Sequence, residues 1–98
     1  MNKKASFHEL AEFELNDAAL FFESKTAGLG VRFLSAVEKA IAEIKLHPES
    51  SQIILKEVRR KVVRKFPYSI FFTIKHDHLR ILAIANQKRR PFYWHGRT

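Results

Sequence analysis

The sequence contains no cysteine, which excludes disulfide bonds and thiolate metal sites and fits a reducing compartment. It has only three glycines, and none of them belongs to a phosphate-cradling loop. No apolar run approaches the length that spans a membrane, and Met1-Asn2-Lys3-Lys4 leads into no apolar signal segment. We therefore expect a soluble, cytoplasmic protein whose residues 1–98 form one domain with a single core.

The sequence also lacks a convincing constellation for metal or nucleophilic catalysis. Of the five histidines, His76 and His78 flank Asp77 in a predicted turn, and a structural metal site needs more convergent ligands. There is neither a nucleophilic triad nor a pair of catalytic carboxylates. We predict no metal and no cofactor, and this disfavours a metal-dependent or nucleotide-hydrolysing enzyme.

Acidic residues are scarce in the second half of the chain. The formal net charge is +8, but residues 1–52 carry six Lys/Arg against eight Asp/Glu, for a net charge of −2. Residues 53–98 carry twelve Lys/Arg against two Asp/Glu, for a net charge of +10. Solubility does not require this segregation, so the basic half points to an anionic partner, either nucleic acid or an acidic protein segment.

Two helices are predicted in the acidic half. Ser6 and Glu9 have the spacing of a capping box, which predicts a helix from Phe7 to Lys25. Gly28 suits a left-handed turn after it, and a second helix from Leu29 to Leu46 ends before Pro48. The short connection predicts an antiparallel helical hairpin. Its buried stripes are Ala11, Leu15, Ala18 and Phe22 in the first helix and Phe33, Val37, Ala40, Ile41 and Ile44 in the second.

Beyond Pro48, the period of the apolar residues changes from that of a helix to that of β-strands. Strands are predicted over Val58 to Phe66, Tyr68 to Lys75 and Leu79 to Ala85, and the last two are joined by a turn centred on Asp77-His78. That turn would place Phe72 opposite Ala83 on one face and Phe71 opposite Ile84 on the other. Both faces are largely apolar, so the helices cover one, and the C-terminal tail, a partner protein or both cover the second.

The predicted architecture is therefore α+β, with an N-terminal antiparallel helical hairpin packed on a small antiparallel β-sheet. An additional N-terminal strand around Lys3 to Ala5 is compatible with it. On the first strand, alternation places Arg60 on the side of Val58 and Val62, which predicts that this side is buried. Lys61 and Lys65 would then be exposed. A buried Arg60 would need a partner such as Glu14, Asp17 or Glu43.

The most informative segment runs from Lys88 to Trp94, where Arg89, Arg90, Tyr93 and Trp94 are combined. Arg and Lys bind phosphate or carboxylate, whereas Tyr and Trp stack on bases or anchor protein interfaces. The alternative is a solvated basic tail whose aromatic rings cap the core.

Metal-independent RNA cleavage needs a base, an acid and cations around the phosphate. The side chains that could supply these groups are Lys65, Arg80, Arg89, Arg90, Tyr93 and His95. Arg and Tyr are poorly matched to acid–base work at neutral pH unless their pKa values are strongly perturbed.

Several segments together resemble a known family. In chain order they are Gly28-Leu29-Gly30-Val31-Arg32-Phe33-Leu34, His47-Pro48-Glu49-Ser50, Arg59-Arg60, Phe66-Pro67-Tyr68-Ser69-Ile70 and Arg89-Arg90-Pro91-Phe92-Tyr93-Trp94. The combination resembles the RelE/ParE superfamily, the toxin halves of type II toxin–antitoxin modules, often called plasmid stabilisation proteins. The resemblance implies a helical hairpin on an antiparallel sheet and an antitoxin peptide that covers exposed apolar surface.

The superfamily divides by target, and the two long helices look more like the ParE side, whose members inhibit DNA gyrase. The alternatives are a RelE-like, ribosome-dependent mRNA endonuclease and a non-toxic member that binds only its antitoxin. For a nuclease, the resemblance maps catalytic roles to Lys65, Arg80, Arg89 and Tyr93. Asn86 stands where relatives with this tail usually have His, and Asn cannot be a general acid or base.

Target or antitoxin contacts are predicted from charge and from the second apolar face of the sheet. An acidic, partly disordered antitoxin segment would neutralise the basic half as it folds on binding. The predicted contact residues are Lys61, Lys65, Phe71, Arg80, Leu82, Ile84, Arg89, Arg90, Tyr93 and Trp94.

Overall fold

The computed structural model describes residues 4–98 and confirms the α+β architecture. In chain order the elements are β1 (Lys4–Phe7), α1 (Glu9–Lys25), α2 (Leu29–Leu46), a 3-10 turn (Pro48–Ser50), β2 (Gln52–Leu55), β3 (Val58–Val62), β4 (Tyr68–Ile74) and β5 (His78–Asn86). The sheet order is β1-β5-β4-β3-β2. All neighbours are antiparallel except β1 and β5, which are parallel.

The helical hairpin follows its sequence pattern, with one correction at its start. α2 has the predicted bounds, and its predicted stripe faces the core. Ser6 does not cap α1, because it lies in β1 opposite Arg80. His8 is the N-cap instead, and its Nδ1 accepts a hydrogen bond from the backbone N–H of Leu10 at 3.0 Å.

A single acidic side chain organises the turn between the helices. Glu23 accepts hydrogen bonds from the backbone N–H groups of Gly28 and Gly30, each at 2.9 Å. Gly28 has φ +86°, as its predicted left-handed role requires. At Gly30 the helices touch, since a Cβ there would lie 2.6 Å from the backbone oxygen of Ala19. Glycine at this position therefore sets the separation of α1 and α2.

The strand register differs from the predicted one. Lys75 donates its backbone N–H to His78, so the turn centres on His76-Asp77, and Phe72 lies opposite Ile81 rather than Ala83. A β-bulge between Phe71 and Phe72 then shifts the pairing by one residue. The predicted pairing next to the turn was wrong because the turn was placed one residue too late, and beyond Phe72 it was wrong because sequence alternation carries no signal for the bulge.

The bulge changes which residues of β5 reach the core. Ile84 pairs with Ile70, and both belong to the core cluster that includes Phe33 and Ile44 of α2. Ile84 was predicted on the second face of the sheet, and that placement was wrong.

The facing of β3 was also predicted wrongly. Lys61 pairs with Ile70 on the helix side, where its Nζ lies 3.0 Å from Oε1 of Glu43 in α2. Arg60 is exposed and lies opposite Phe71. None of the three carboxylates considered for it is its partner. β3 ends at Val62, four residues before the predicted end, because the chain turns through residues 63–67 before β4.

Candidate functional site

The C-terminal tail, residues 87–98, covers the second face of the sheet. Trp94 is 3% exposed and stacks on Phe71, with ring centroids 4.8 Å apart and planes inclined by 29°. Phe92 makes an edge contact with Trp94 at 5.8 Å, and Leu82 beneath the tail is 2% exposed. The sequence had left a self-contact or a partner as alternatives, and within this chain the tail makes the contact.

Glu14 of α1 links the helical layer to the tail. The last paired residue of β1 is Phe7, opposite Ile81, so β5 continues beyond the end of its parallel neighbour. There, Oε1 of Glu14 accepts a hydrogen bond from the backbone N–H of Ile84 at 3.0 Å. Arg97 donates from Nη1 to the carbonyl of Leu82, also at 3.0 Å. Two side chains thus satisfy backbone groups that a longer β1 would otherwise have paired.

The same carboxylate binds the tail directly. Arg97 donates to both oxygens of Glu14, with N–O distances of 3.0 Å, and the Tyr93 hydroxyl donates to Oε2 at 2.8 Å. The side chains of Glu14 and Arg97 are each only 12% exposed. Bidentate, charge-assisted bonds of this kind fix orientation as well as distance. We call Glu14, Tyr93 and Arg97 the tail latch.

The latch determines the chemistry of Tyr93. Two guanidinium groups lie near its ring, with Cζ of Arg89 at 3.8 Å and Cζ of Arg97 at 5.1 Å from the ring centroid. Burial, and then the hydrogen bond to Glu14, raises the pKa of Tyr93 well above its usual value. The hydroxyl therefore keeps its proton at neutral pH and cannot act as a general base there.

Beside the latch, the tail and the sheet enclose an open cleft of about 510 Å³, which we call the tail cleft. Three arginines and four aromatic rings are among the residues that line it: Arg60, Arg89, Arg90, Phe71, Phe92, Tyr93 and Trp94. Phe92 has φ +62°, an uncommon conformation for a residue with a Cβ, and its side chain is 46% exposed. Guanidinium groups beside partly exposed rings form a surface suited to an anionic macromolecule.

The structure separates the four residues predicted for a nuclease. Arg89 and Tyr93 are in contact at the tail cleft. Arg80 lies elsewhere on the sheet, where Nε donates to the carbonyl of Thr98 at 3.0 Å and Nη1 donates to Ser6 at 3.2 Å. Lys65 lines a different cleft, beside α2. The four side chains do not converge on one reacting atom.

The other predicted residues are distributed as follows. Arg90 is exposed at the tail cleft, whereas Lys61 is paired with α2. Leu82 lies beneath the tail, so a partner could reach it only after the tail moves, whereas the half-buried Phe71 lies under Trp94 but also lines the tail cleft. Asn86 has a structural contact, since its Oδ1 accepts from the backbone N–H of Lys88 at 2.8 Å.

Sequence reasoning missed Glu14 and Arg97 as members of the site. A signal for Glu14 was present, because it lies three residues after Ala11 and four before Ala18, next to the buried stripe. A carboxylate so close to a core stripe requires a partner. Nothing in the local sequence identifies Arg97 as that partner, since it is 83 residues away.

The described residues contain neither a metal-binding group nor a membrane span. Between Lys4 and Thr98, no three or more His, Asp or Glu side chains come together as a metal ion would need. Within the same range, neither helix is long and apolar enough to cross a bilayer.

Comparisons with known proteins agree with the fold. The family model described as the ParE toxin of the type II toxin–antitoxin system parDE matches residues 5–91. Among solved structures, a chain of the chromosomal ParDE toxin–antitoxin system from P. aeruginosa superimposes with a TM-score of 0.70. It has 16% sequence identity to this chain, and the match covers 86% of this chain and 95% of that one. A search of curated proteins finds no match.

Proposed function

Because this chain belongs to the ParE toxin family of type II toxin–antitoxin systems, we propose that it inhibits DNA gyrase by binding and that a cognate antitoxin neutralises it. The observation that carries the proposal is the tail cleft, where Arg89 and Arg90 stand beside aromatic rings on a tail that the latch holds in place. A preorganised basic and aromatic surface binds a partner without first paying to order a loop.

The arrangement supports binding rather than RNA cleavage. Tyr93, the predicted acid or base, donates its hydroxyl proton to Glu14 and has a raised pKa. Lys65 and Arg80 lie away from Tyr93. A nuclease needs a proton acceptor and cations around one phosphate, and these residues provide no such set in this conformation.

The charge distribution supports an acidic antitoxin. The second half of the chain carries a net charge of +10, and the tail cleft exposes Arg60, Arg89 and Arg90. An acidic segment would approach this surface faster and bind it more tightly at low salt. Both the target and the antitoxin of such a toxin are encountered in the cytoplasm.

The experiment that tests the proposal is a pulse-labelling time course of DNA and protein synthesis after induction in bacteria, with supercoiling by purified gyrase measured in parallel. We expect DNA synthesis to fall first and supercoiling to be inhibited. The variant Arg89→Gln/Arg90→Gln should inhibit at least about tenfold less, because two exposed cations of the contact are lost. Lys25→Gln/Lys45→Gln removes the same charge from the helices and is the matched control.

The opposite results have clear meanings. If protein synthesis falls first while gyrase is unaffected, the ribosome replaces gyrase as the target. If the arginine variant is as inhibitory as the control, the tail cleft is not the active surface. If neither synthesis falters, the chain is a member of the family that is not toxic to that host.

A further inference from the structure

A second cleft lies on the opposite side of the molecule's sheet from the tail, between α2 and the loop of residues 63–67. It has an open volume of about 570 Å³, and we call it the α2 cleft. Arg32 and Lys39 line it from α2, seven residues apart and therefore on one side of the helix. Arg64 and Lys65 line it from the loop. Four cations thus face one concave surface.

The part of the chain that the structure describes pairs none of these four cations directly with a carboxylate. All are exposed, and none forms an ion pair or a side-chain hydrogen bond within residues 4–98. The carboxylate in the cleft, that of Glu43, is already bound to Lys61 at 3.0 Å. The bond to Lys61, with smaller contributions from Arg64 and Lys39, lowers the pKa of Glu43. The cleft therefore retains a surplus of positive charge.

The backbone of the loop fixes the position from which one of these side chains extends. Lys65 has φ +68°, which residues with a Cβ adopt rarely. The loop around it is closed by backbone hydrogen bonds from Val63 to Tyr68 at 2.9 Å and from Tyr68 to Phe66 at 2.8 Å. Uncommon backbone conformations persist where the surrounding structure imposes them, and they are concentrated at functional sites.

Apolar residues line the cleft together with the four cations, and we call the cations its rim and the apolar residues its floor. Leu29, Ala36, Val62 and Phe66 contribute to the floor, and Val62 remains 46% exposed. A nucleic-acid backbone presents phosphates but no aliphatic group that would fill such a floor. An acidic peptide presents both, since carboxylates can reach the rim while an apolar side chain enters the centre.

We propose that the α2 cleft is a docking site for an acidic peptide segment that carries an apolar anchor residue. The rim of four unpaired cations matches the carboxylates, and the floor around Val62 matches the anchor. On the second face of the sheet, by contrast, the tail covers the apolar surface with Trp94 stacked on Phe71. The inference rests on the proposed function only in that an antitoxin is a natural source of such a segment.

The test is a titration of the purified chain with a synthetic peptide of Glu and Ser residues around one central Leu, measured by calorimetry at low salt. We expect binding, and we expect Lys39→Gln/Arg64→Gln to weaken it at least about tenfold, because two rim cations are lost. Val62→Ser should weaken it as well. Replacing the Leu of the peptide by Ser should also weaken binding. All substituted residues are exposed, and thermal melting followed by Trp94 fluorescence confirms that each variant folds.

The matched control is Lys25→Gln/Lys45→Gln, which removes the same charge elsewhere on the helices and should leave the affinity within about twofold, because neither lysine lines the α2 cleft. The inference is overturned if Lys39→Gln/Arg64→Gln binds normally or if the control loses affinity equally, which would indicate unspecific attraction. It is also overturned if the Leu-to-Ser peptide binds as tightly, or if single-stranded DNA binds this cleft more tightly than the peptide. The titration requires no toxicity, so a non-toxic chain with normal peptide binding would refute the proposed function and leave this inference standing.

Discussion

Replacing Glu14 by Ala should destabilise the protein more than the same change at any other acidic residue of α1. The side chain of Glu14 accepts four hydrogen bonds, two from Arg97, one from Tyr93 and one from the backbone of Ile84. The substitution leaves the Arg97 guanidinium, 12% exposed, facing no carboxylate. It also leaves the backbone N–H of Ile84 without an acceptor, in the part of β5 that extends beyond the end of β1.

The magnitude follows from the burial of this pair. Removing one partner of a fully buried ion pair costs about 3–5 kcal/mol. Because part of the pair is exposed and the tail can move to hydrate Arg97, we expect a loss of about 2–4 kcal/mol in the free energy of unfolding. In a domain of this size, this corresponds to a fall in melting temperature of roughly 10 °C or more. Glu14→Gln should cost less, because the amide oxygen can still accept from Tyr93.

Urea unfolding can be followed with two probes that separate the tail from the whole domain. Trp94 is the single tryptophan and lies in the tail, so its fluorescence reports tail docking, whereas far-ultraviolet circular dichroism reports the helices. In Glu14→Ala we expect the fluorescence transition at lower urea than the helical transition. Glu12→Gln, an exposed carboxylate on the same helix, is the control.

A loss below about 0.5 kcal/mol in Glu14→Ala would refute the reasoning, because that is the range of ordinary surface substitutions. A double-mutant cycle with Arg97→Met isolates the pair. Its coupling energy should be about 1–3 kcal/mol, the range for residues in one hydrogen-bond network. A coupling energy near zero would show that the latch is a geometric coincidence.

Three further predictions concern the helical turn and the latch. Gly30→Ala should lower the free energy of unfolding by about 1–3 kcal/mol in urea, because its Cβ would lie 2.6 Å from the backbone oxygen of Ala19; unchanged stability would show that the helices separate freely. The pKa of Tyr93 is raised in the folded protein, so its contribution to stability is complete below the unfolded value near 10 and is lost as the pH rises above that value. Tyr93→Phe should therefore reduce the fall of the urea midpoint at alkaline pH. Parallel plots of urea midpoint against pH for the two proteins would contradict this. The pKa of Glu23 is lowered by the N–H groups it caps, so its contribution to stability is present above about pH 4.5 and is lost as the pH falls. Glu23→Gln should remove that part of the acid dependence of the melting temperature. An unchanged dependence of the melting temperature on acid pH would count against the cap.

Local sequence was sufficient for the helical hairpin. The apolar period of α2, the proline after it and a glycine suited to φ +86° gave both bounds of that helix correctly, because helix limits depend on neighbours in the chain. It was insufficient at the start of α1. Ser6 is a residue type that commonly caps helices, but here it belongs to β1 and pairs with Arg80 of β5. This tertiary contact overrides the local signal.

The sheet shows the same division. The apolar runs of β4 and β5 identify two buried strands, yet the residues that oppose one another depend on a bulge that no alternation pattern encodes. This one-residue shift turned Ile84 into the core, away from the face on which it was predicted. Lys61 and Arg60 lie on the faces of the sheet opposite to those predicted, for a related reason. The pairing of β3 with β4 determines which face each residue of β3 occupies, and the composition of β3 does not.

Sequence by itself determined the family, the layer architecture and the separation of an acidic half from a basic half, because each of these is written in composition and in the order of short motifs. Tertiary structure alone decided where the chemistry lies. It joined Glu14 to Arg97 across 83 residues, closed the tail over the sheet and left Lys65 in a cleft apart from Tyr93. Such contacts depend on how the elements pack, and packing brings together residues whose distance along the chain carries no information about their distance in space.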